Sequence, residues 1–464
     1  MAMLQRLSSE DARILALETG PVVGHTAKIA IAERAADDTL AALRERLERR
    51  LALAPRLHQR LAPTPLGLAA PAWVDDPAFD PSAHVRRVEI EGHVDRERLR
   101  EIVASLMAQP LDRERPLWAI DLVDRLEGSL VAAIWRIHHC LADGAGALAL
   151  GPVVLWDDAP DPAPPPSSSR LPPPEPTPGA LELVAAAASE RAQSFAASLA
   201  GMATAAATPS RWRGTIAELR RAPGTILREL RPAGAGSPLD APIARRRRIA
   251  LVDWALADVQ RVAHSVATGV TVNDVVLAAV AGGLRRWLRH RDRSPELVRV
   301  QVPVSMHRPD EEEATGNRDS FLNVDLPLDE PDPVRRLLAI HDETRDRKDR
   351  HDADELYALF AGLSHVSRRL YGRAYRVASD PRVFALAVSN IRGPAEPRYL
   401  VGGPIREFYS LAEIAPRHAL RVNCVSFGGR MSWGLCADAE ALPDLDVIRD
   451  GIEIALRELL DESS

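Results

Sequence analysis

His138-His139-Cys140-Leu141-Ala142-Asp143-Gly144 is the stretch on which the reading of this chain turns. The apolar run 130–137 ahead of it has the length and composition of a buried strand, and 145–156 behind it has the Ala/Leu spacing of a helix. With 13 His in 464 residues, an adjacent pair alone carries little weight. Asp and Gly at fixed offsets after the pair make a chance match much rarer.

Neighbouring residues on a strand point to opposite faces, so the two imidazoles cannot both reach one small reactant while the strand continues. That argues against a two-His metal site, whose ligands sit on one face, and no metal is expected. It suits a single imidazole acting as a general base, with an ordinary pKa near ~6.5. Asp143 stands at the strand-to-helix corner, where it can cap the helix. Gly144 allows a tight turn or a close approach by another segment. Cys140 follows the pair directly. A free Cys beside a buried strand is expected to be an inert apolar residue rather than a nucleophile.

Further blocks lie on both sides of the His pair. Upstream are Leu7-Ser8-Ser9-Glu10-Asp11, Leu17-Glu18-Thr19 and His25, then Trp73-Val74, Phe79-Asp80 and His84-Val85-Arg86. Pro110-Leu111-Asp112-Arg113 and Arg115-Pro116-Leu117-Trp118 come just before the strand. Downstream are Val272-Asn273-Asp274-Val275-Val276-Leu277, Val302-Pro303-Val304-Ser305, Gly316-Asn317 and Ser389-Asn390-Ile391-Arg392-Gly393-Pro394. In this order, spanning nearly the whole chain, the blocks resemble the bacterial wax ester synthase/diacylglycerol acyltransferase family. That family belongs to the superfamily of chloramphenicol acetyltransferase-like enzymes, which also includes the condensation domains of peptide synthetases.

The resemblance implies a mixed α/β (α+β) fold of two chloramphenicol acetyltransferase-like lobes with an active-site tunnel between them. It makes His139 the base that deprotonates an acceptor hydroxyl or amine for attack on an acyl thioester, and His138 a supporting residue. It makes Asp143 a loop organiser held by an Arg and turned away from the base, with Gly144 in a structural role. It places Asn273, Asp274, Ser389 and Asn390 along the tunnel on the far lobe. For Asn273-Asp274, capping of the helix that follows is an equal alternative. Ile391-Arg392 stands where the family often has Val-Pro, and Met306-His307-Arg308 departs from its usual spacing. These departures bear on the acceptor rather than on the thioester chemistry.

Composition narrows the partners. Apolar residues make up 46% of the chain and aromatics 4%, with a net charge of −6. A globular protein fits these values, and a nucleic-acid partner does not. Cys140, Cys424 and Cys436 are too few and too scattered for a disulfide framework, which suits a reducing cytoplasm. Charges interrupt the first 30 residues and leave no secretory h-region. The longest uncharged run, 192–210, is mostly Ala, Ser and Thr, so no spanning helix is expected. The expected location is cytoplasmic, with any contact to the inner face of the membrane or to a lipid droplet being peripheral.

Three units follow. Residues 1–155 form a first lobe carrying the His motif. Residues 156–242 form a linker, Pro-rich over 158–179, with connecting helices over 181–207 and 215–230. Residues 243–464 form a second lobe with a hairpin around Gly428-Gly429 and a C-terminal amphipathic helix over 445–460. The run Arg245, Arg246, Arg247 and Arg248 reads as a solvated face, or as an anchor for a CoA phosphate or an anionic lipid surface.

The leading expectation is an acyl-CoA-dependent O-acyltransferase. It would move a long acyl chain from acyl-CoA to diacylglycerol or a long-chain alcohol, giving triacylglycerol or wax ester, with no cofactor beyond the substrate. One alternative is an acyltransferase or condensation enzyme with another hydroxyl or an amine as acceptor. The other is a catalytically silent acyl-lipid-binding protein of the same fold. The oligomeric state is left open.

Overall fold

The computed structural model describes residues 4–161, 171–206, 224–225, 228–233, 237–294, 297–305, 319–366 and 368–462. The central part of the Pro-rich segment, most of the helix expected over 215–230, and the blocks at 306–308 and 316–317 lie outside the described residues.

Fourteen strands are described. In chain order they are β1 (His25–Glu33), β2 (Gln59–Ala62), β3 (Ala72–Asp75), β4 (Val85–Arg87), β5 (Trp118–Leu126), β6 (Leu130–His138) and β7 (Arg247–Ala255). They continue with β8 (Leu297–Ser305), β9 (Asp319–Pro327), β10 (Leu386–Arg392), β11 (Tyr399–Leu400), β12 (Gly403–Leu411), β13 (Leu420–Phe427) and β14 (Arg430–Asp438). One six-stranded sheet has the order β11-β12-β1-β6-β5-β4, and a second has the order β7-β14-β13-β10-β8-β9. Both are mixed: β4 runs parallel to β5, and β10 runs parallel to β13 and β8. The first sheet therefore draws two strands, β11 and β12, from the far half of the chain.

Strand β6 lies between β1 and β5 and is covered on both faces, which is why it is apolar almost throughout. Its one charge, Arg136, is buried and paired with Asp121 of β5 at 2.9 Å. Arg86 reaches the same carboxylate at 2.5 Å, so the Asp121 charge is shared by two guanidinium groups.

The sheets share a core. Ala27, Ile29 and Ile31 of β1 pack in one cluster with Leu411, Ile249 and Cys436, so strands from both halves bury each other's apolar faces. Gly434 of β14 meets the Ser410 carbonyl so closely that no Cβ would fit there, which lets the two sheets approach.

The sequence over 145–156 predicts one helix, but the chain makes two short ones, Gly144–Ala149 and Gly151–Val154. Pro152 lacks the N–H that a continuous helix would need, and the Trp156 ring fills the place of a Gly151 side chain. Beyond the Pro-rich segment, whose described residues 171–179 lack regular structure, the helix Ala180–Ala206 docks back on the first lobe. It does so through Leu183, in a cluster with Ala62, Ala72 and Val74, and through a 2.6 Å ion pair between Glu190 and Arg6. Among the described residues, no helix is long and apolar enough to cross a membrane.

Candidate active site

Strand β6 ends at His138, and the chain turns at His139. Backbone hydrogen bonds fix the turn: His138 N–H donates to the Leu117 carbonyl at 2.9 Å, and His139 N–H donates to the Gly24 carbonyl at 2.8 Å. Because the strand stops between them, the two rings part. His138 is fully buried, while the His139 side chain is 16% exposed and lines a cavity of about 620 Å³.

The His138 ring is held inside the protein. Its Nδ1 accepts the Cys140 N–H at 3.1 Å, and its Nε2 faces the Glu18 carboxylate at 3.7 Å, beyond hydrogen-bonding distance. A Gly24 side chain would collide with that Nε2, so glycine is needed there. Arg113 pairs with Glu18 at 2.6 Å. Burial would raise the Glu18 carboxyl, but His138, Arg113 and the Gly24 N–H hold it down at about 2.

The blocks before β6 form a brace. Trp118 donates its indole N–H to the Leu57 carbonyl at 2.7 Å. Its ring stacks on His84 at 4.6 Å, and His84 Nδ1 bonds the Trp118 carbonyl at 2.8 Å.

His139 is oriented by a residue that no local motif announces. Its Nδ1 lies 2.9 Å from Oε1 of Glu413, on the loop after β12. Arg421 Nη1 stands 3.6 Å from the same oxygen and bonds the Glu413 carbonyl at 3.3 Å. Burial alone would raise the Glu413 carboxyl, but the His139 ring and Arg421 keep it ionised, at about 2. An ionised carboxylate can only accept, so the hydrogen between the two groups is on Nδ1, which makes Nε2 the ring nitrogen on the opposite side. This pair is the carboxylate–imidazole arrangement of hydrolytic triads without a protein nucleophile.

Asp143 does not orient the imidazole. It caps the helix Gly144–Ala149, its Oδ1 accepting the Gly146 N–H at 2.6 Å. Among the described residues it has no Arg ion-pair partner, and the cation that feels its charge is the buried Lys28 of β1. Burial lowers the Lys28 ammonium to about 8, with Asp143 and Glu413 opposing the fall, and its Nζ donates to Ser410 Oγ at 2.7 Å. Gly144 leaves room for Ile391, at the end of β10, to press against the motif helix.

Cys140 is buried and free, and burial raises its thiol well above the usual range, which leaves it protonated.

The cavity is lined from both halves of the chain. One face of the helix Ser9–Leu17 contributes Glu10, Arg13, Ile14 and Leu17, and strands β8, β9, β10 and β13 form much of the far wall. None of Asn273, Asp274, Ser389 or Asn390 lines it. Asp274 closes a capping box with Thr271 at the start of the helix Val272–His290, and it also binds His341 Nδ1 at 3.0 Å and the Thr344 hydroxyl at 2.7 Å. Its carboxylate is thus spent on tying two helices together. Asn273 precedes it on that helix start. Ser389 is buried on β10, where its Oγ accepts from Asn423 Nδ2 at 2.6 Å, and Asn390 sits beside it on the strand.

In the arginine run, Arg247 bonds the Pro21 carbonyl and Arg248 pairs with Asp446 at 2.6 Å. Arg245 lies at a smaller cavity of about 290 Å³, together with Glu18 and Arg113.

Comparison with known proteins places this site in a context. A family model described as the wax ester synthase/diacylglycerol acyltransferase catalytic domain matches residues 7–276, and its C-terminal domain matches 315–460. A Mycobacterium tuberculosis H37Rv protein that carries the name diacylglycerol O-acyltransferase is 32% identical over 98% of this chain and 97% of its own length. A second from the same strain, of the same name, is 30% identical over 93% of this chain and 90% of its own. Among solved structures, the wax ester synthase/diacylglycerol acyltransferase from Marinobacter aquaeolei VT8 superposes with a TM-score of 0.70 at 24% identity, over 99% of this chain and 100% of that one. The first condensation domain of the CDA synthetase superposes with a TM-score of 0.60 at 17% identity, over 99% and 96%. These likenesses establish the shared two-lobed fold.

Proposed function

Because the chain belongs to the wax ester synthase/diacylglycerol acyltransferase family and is an acyltransferase, we propose that it moves a long acyl chain from acyl-CoA to the hydroxyl of diacylglycerol or a long-chain alcohol, with His139 as the general base. The observation that carries this reading is the His139–Glu413 pair set in the wall of a cavity lined from both halves of the chain.

In the proposed reaction His139 Nε2 takes the acceptor hydroxyl proton as the oxygen attacks the thioester carbonyl. Glu413 holds the ring and stabilises the imidazolium that forms. The tetrahedral intermediate then collapses, the carbon–sulfur bond breaks, and the proton passes from His139 to the departing CoA thiolate. The products are an ester and free CoA, and the sequence of steps calls on no metal or redox cofactor. Enclosure between the lobes keeps water from competing for the thioester. Substrates this apolar favour an enzyme in the cytoplasm that meets the membrane or a lipid droplet only at its surface.

The test is transfer from radiolabelled palmitoyl-CoA to a panel of diacylglycerols, long-chain alcohols and amines. Ester formation with at least one hydroxyl acceptor, abolished in His139→Ala, is the expected result. Transfer to amines alone would point to a condensation-type reaction, and binding without turnover would point to a silent lipid carrier.

A further inference from the structure

Strand β13 runs between β10 and β14 in the second sheet and carries one charge, Arg421. A cation on a central strand has to be paired or reach water. Arg421 lines the same cavity as His139 and turns its Nη1 to Glu413, bonding the backbone carbonyl at 3.3 Å. The carboxylate oxygen it faces, Oε1, is the one that His139 Nδ1 meets. With contacts of 3.6 Å and 2.9 Å to that one atom, Nη1 and Nδ1 lie no more than about 6.5 Å apart.

The two contacts act on the ring in opposite senses. A carboxylate beside an imidazole favours the imidazolium, and an opposite charge this close moves a pKa by about 1–3. A ring held charged at neutral pH has no lone pair with which to take a hydroxyl proton. A cation on the same oxygen answers the carboxylate and repels the charge on the ring. A guanidinium stays charged at every working pH, so its effect is constant.

The other titratable groups near the pair do not supply this effect. From β1, His25 and Lys28 face Glu413, and from β14 Cys436 does. Burial lowers His25 to about 3 and raises the Cys436 thiol to about 12, so both are neutral at pH 7. Lys28, lowered by burial to about 8, answers Asp143 as well and is bonded to Ser410. On β6, His138 is buried and faces Glu18. Elsewhere on the cavity wall, Glu10, Tyr371 and Tyr375 surround Arg13, Glu18 is paired with Arg113, and Arg376 bonds the Gly372 carbonyl. Both ring nitrogens of His418 meet backbone carbonyls. Among the described residues, Arg421 is the arginine or lysine in ion-pair contact with Glu413.

We propose that Arg421 is a positioning residue for the base: by sharing the Glu413 carboxylate with the ring, it sets the pH at which His139 loses its proton and keeps the ring free to act near neutrality. This rests on the O-acyltransferase reading above and adds what governs the working pH of the same site.

The experiment titrates His139 by NMR of the full chain carrying isotope-labelled histidine, its signal being the one lost in His139→Ala. In the parent the midpoint is expected within about one pH unit of the ordinary histidine value of about 6.5, despite the carboxylate. In Arg421→Gln it should rise by about one pH unit or more, and in Arg421→Lys, which keeps the charge, by less than about half as much. The kinetic counterpart is kcat/KM for palmitoyl-CoA across the same range. Arg421→Gln should lose about tenfold on the acid limb and little on the alkaline side, because a displacement of one pH unit is tenfold in the deprotonated fraction. A parent midpoint further above the ordinary value would overturn the proposal whether or not the variants fold. So would an unmoved or lowered midpoint in folded Arg421→Gln. A rate loss of equal size at every pH, or a higher KM with an unmoved acid limb, would also overturn it, assigning Arg421 to the wall or to the substrate. If the midpoints behave as expected and the parent transfers no acyl group, the acyltransferase reading falls and the control of His139 by Arg421 stands.

Discussion

Glu413 Oε1 lies 2.9 Å from Nδ1 of His139, although 274 residues separate the two in sequence. The contact joins the His motif, which opens at the end of a first-half strand, to a loop from the far half of the chain. The proposed base is therefore completed only when the strands over 399–411 add to the first sheet. On that reading, a complete site requires both halves of the chain to be in place.

His139→Ala should lower the rate of acyl transfer by about 10²–10⁴-fold, the usual worth of general acid–base catalysis, with thermal stability close to that of the parent. His138→Ala should act in the opposite proportion. Its ring is fully buried against Glu18 and bonded to the Cys140 N–H, so melting temperature should fall more than activity per folded molecule. Paired thermal melts and single-turnover rates separate the two. A His138 variant that is stable but inactive would reverse the assignment.

Glu413→Gln preserves shape and removes the charge. The turnover number is expected to drop, by up to about 10⁴-fold if the amide fixes the wrong tautomer. A positioning role through charge also predicts that the acid limb of the kcat/KM profile moves to lower pH, because the imidazolium loses the carboxylate that favours it. A rate loss with an unmoved pH profile would mean that Glu413 serves only packing.

Acid stability should report the same carboxylates. Glu413 and Glu18 are both held at about 2, below the usual value of 4.5. A depressed carboxyl contributes stability that is complete above its unfolded value and is lost as pH falls towards its folded one. Stability in urea should therefore fall as pH drops from about 4.5 to about 2, and Glu413→Gln should flatten that fall. An equally steep decline in the variant would place the acid-sensitive groups elsewhere.

Asp143→Ala should cost about 0.5–2 kcal/mol, the worth of a lost helix cap, whereas Asp143→Asn should cost only a few tenths because Asn caps nearly as well. Equal and large losses from both would show that the negative charge beside Lys28, and not the cap, is what the position supplies. Chemical denaturation of the two variants side by side distinguishes these cases.

Gly24→Ala should destabilise by about 1–3 kcal/mol, as overpacking of a filled core does. The new methyl would strike His138 Nε2, whose ring has no free space to enter. Restoration of stability in Gly24→Ala/His138→Ala, relative to the sum of the single changes, would confirm that the two positions compete for one volume.

Much of the architecture could be read from residue order because it rests on local physics. The apolar run into His138 reads as a buried strand, Asp143 as a helix cap, and Gly428-Gly429 as a hairpin turn. The structure has β6, that cap and the β13–β14 turn, with both glycines at positive φ. Alternation along a strand said only that the two imidazoles would part; that His139 is the one facing the cavity came from the family resemblance. Tertiary structure alone decided the partners. Glu413 sits in no motif, Arg421 is one of many arginines, and Asn273, Asp274, Ser389 and Asn390 turned out to stand off the cavity, with Asp274 drawn into a capping box and bonds to a second helix. Spacing along a chain encodes which face a side chain takes. Which carboxylate meets an imidazole depends on how two sheets dock and trade strands, and that is set by the packing of buried surfaces hundreds of residues apart.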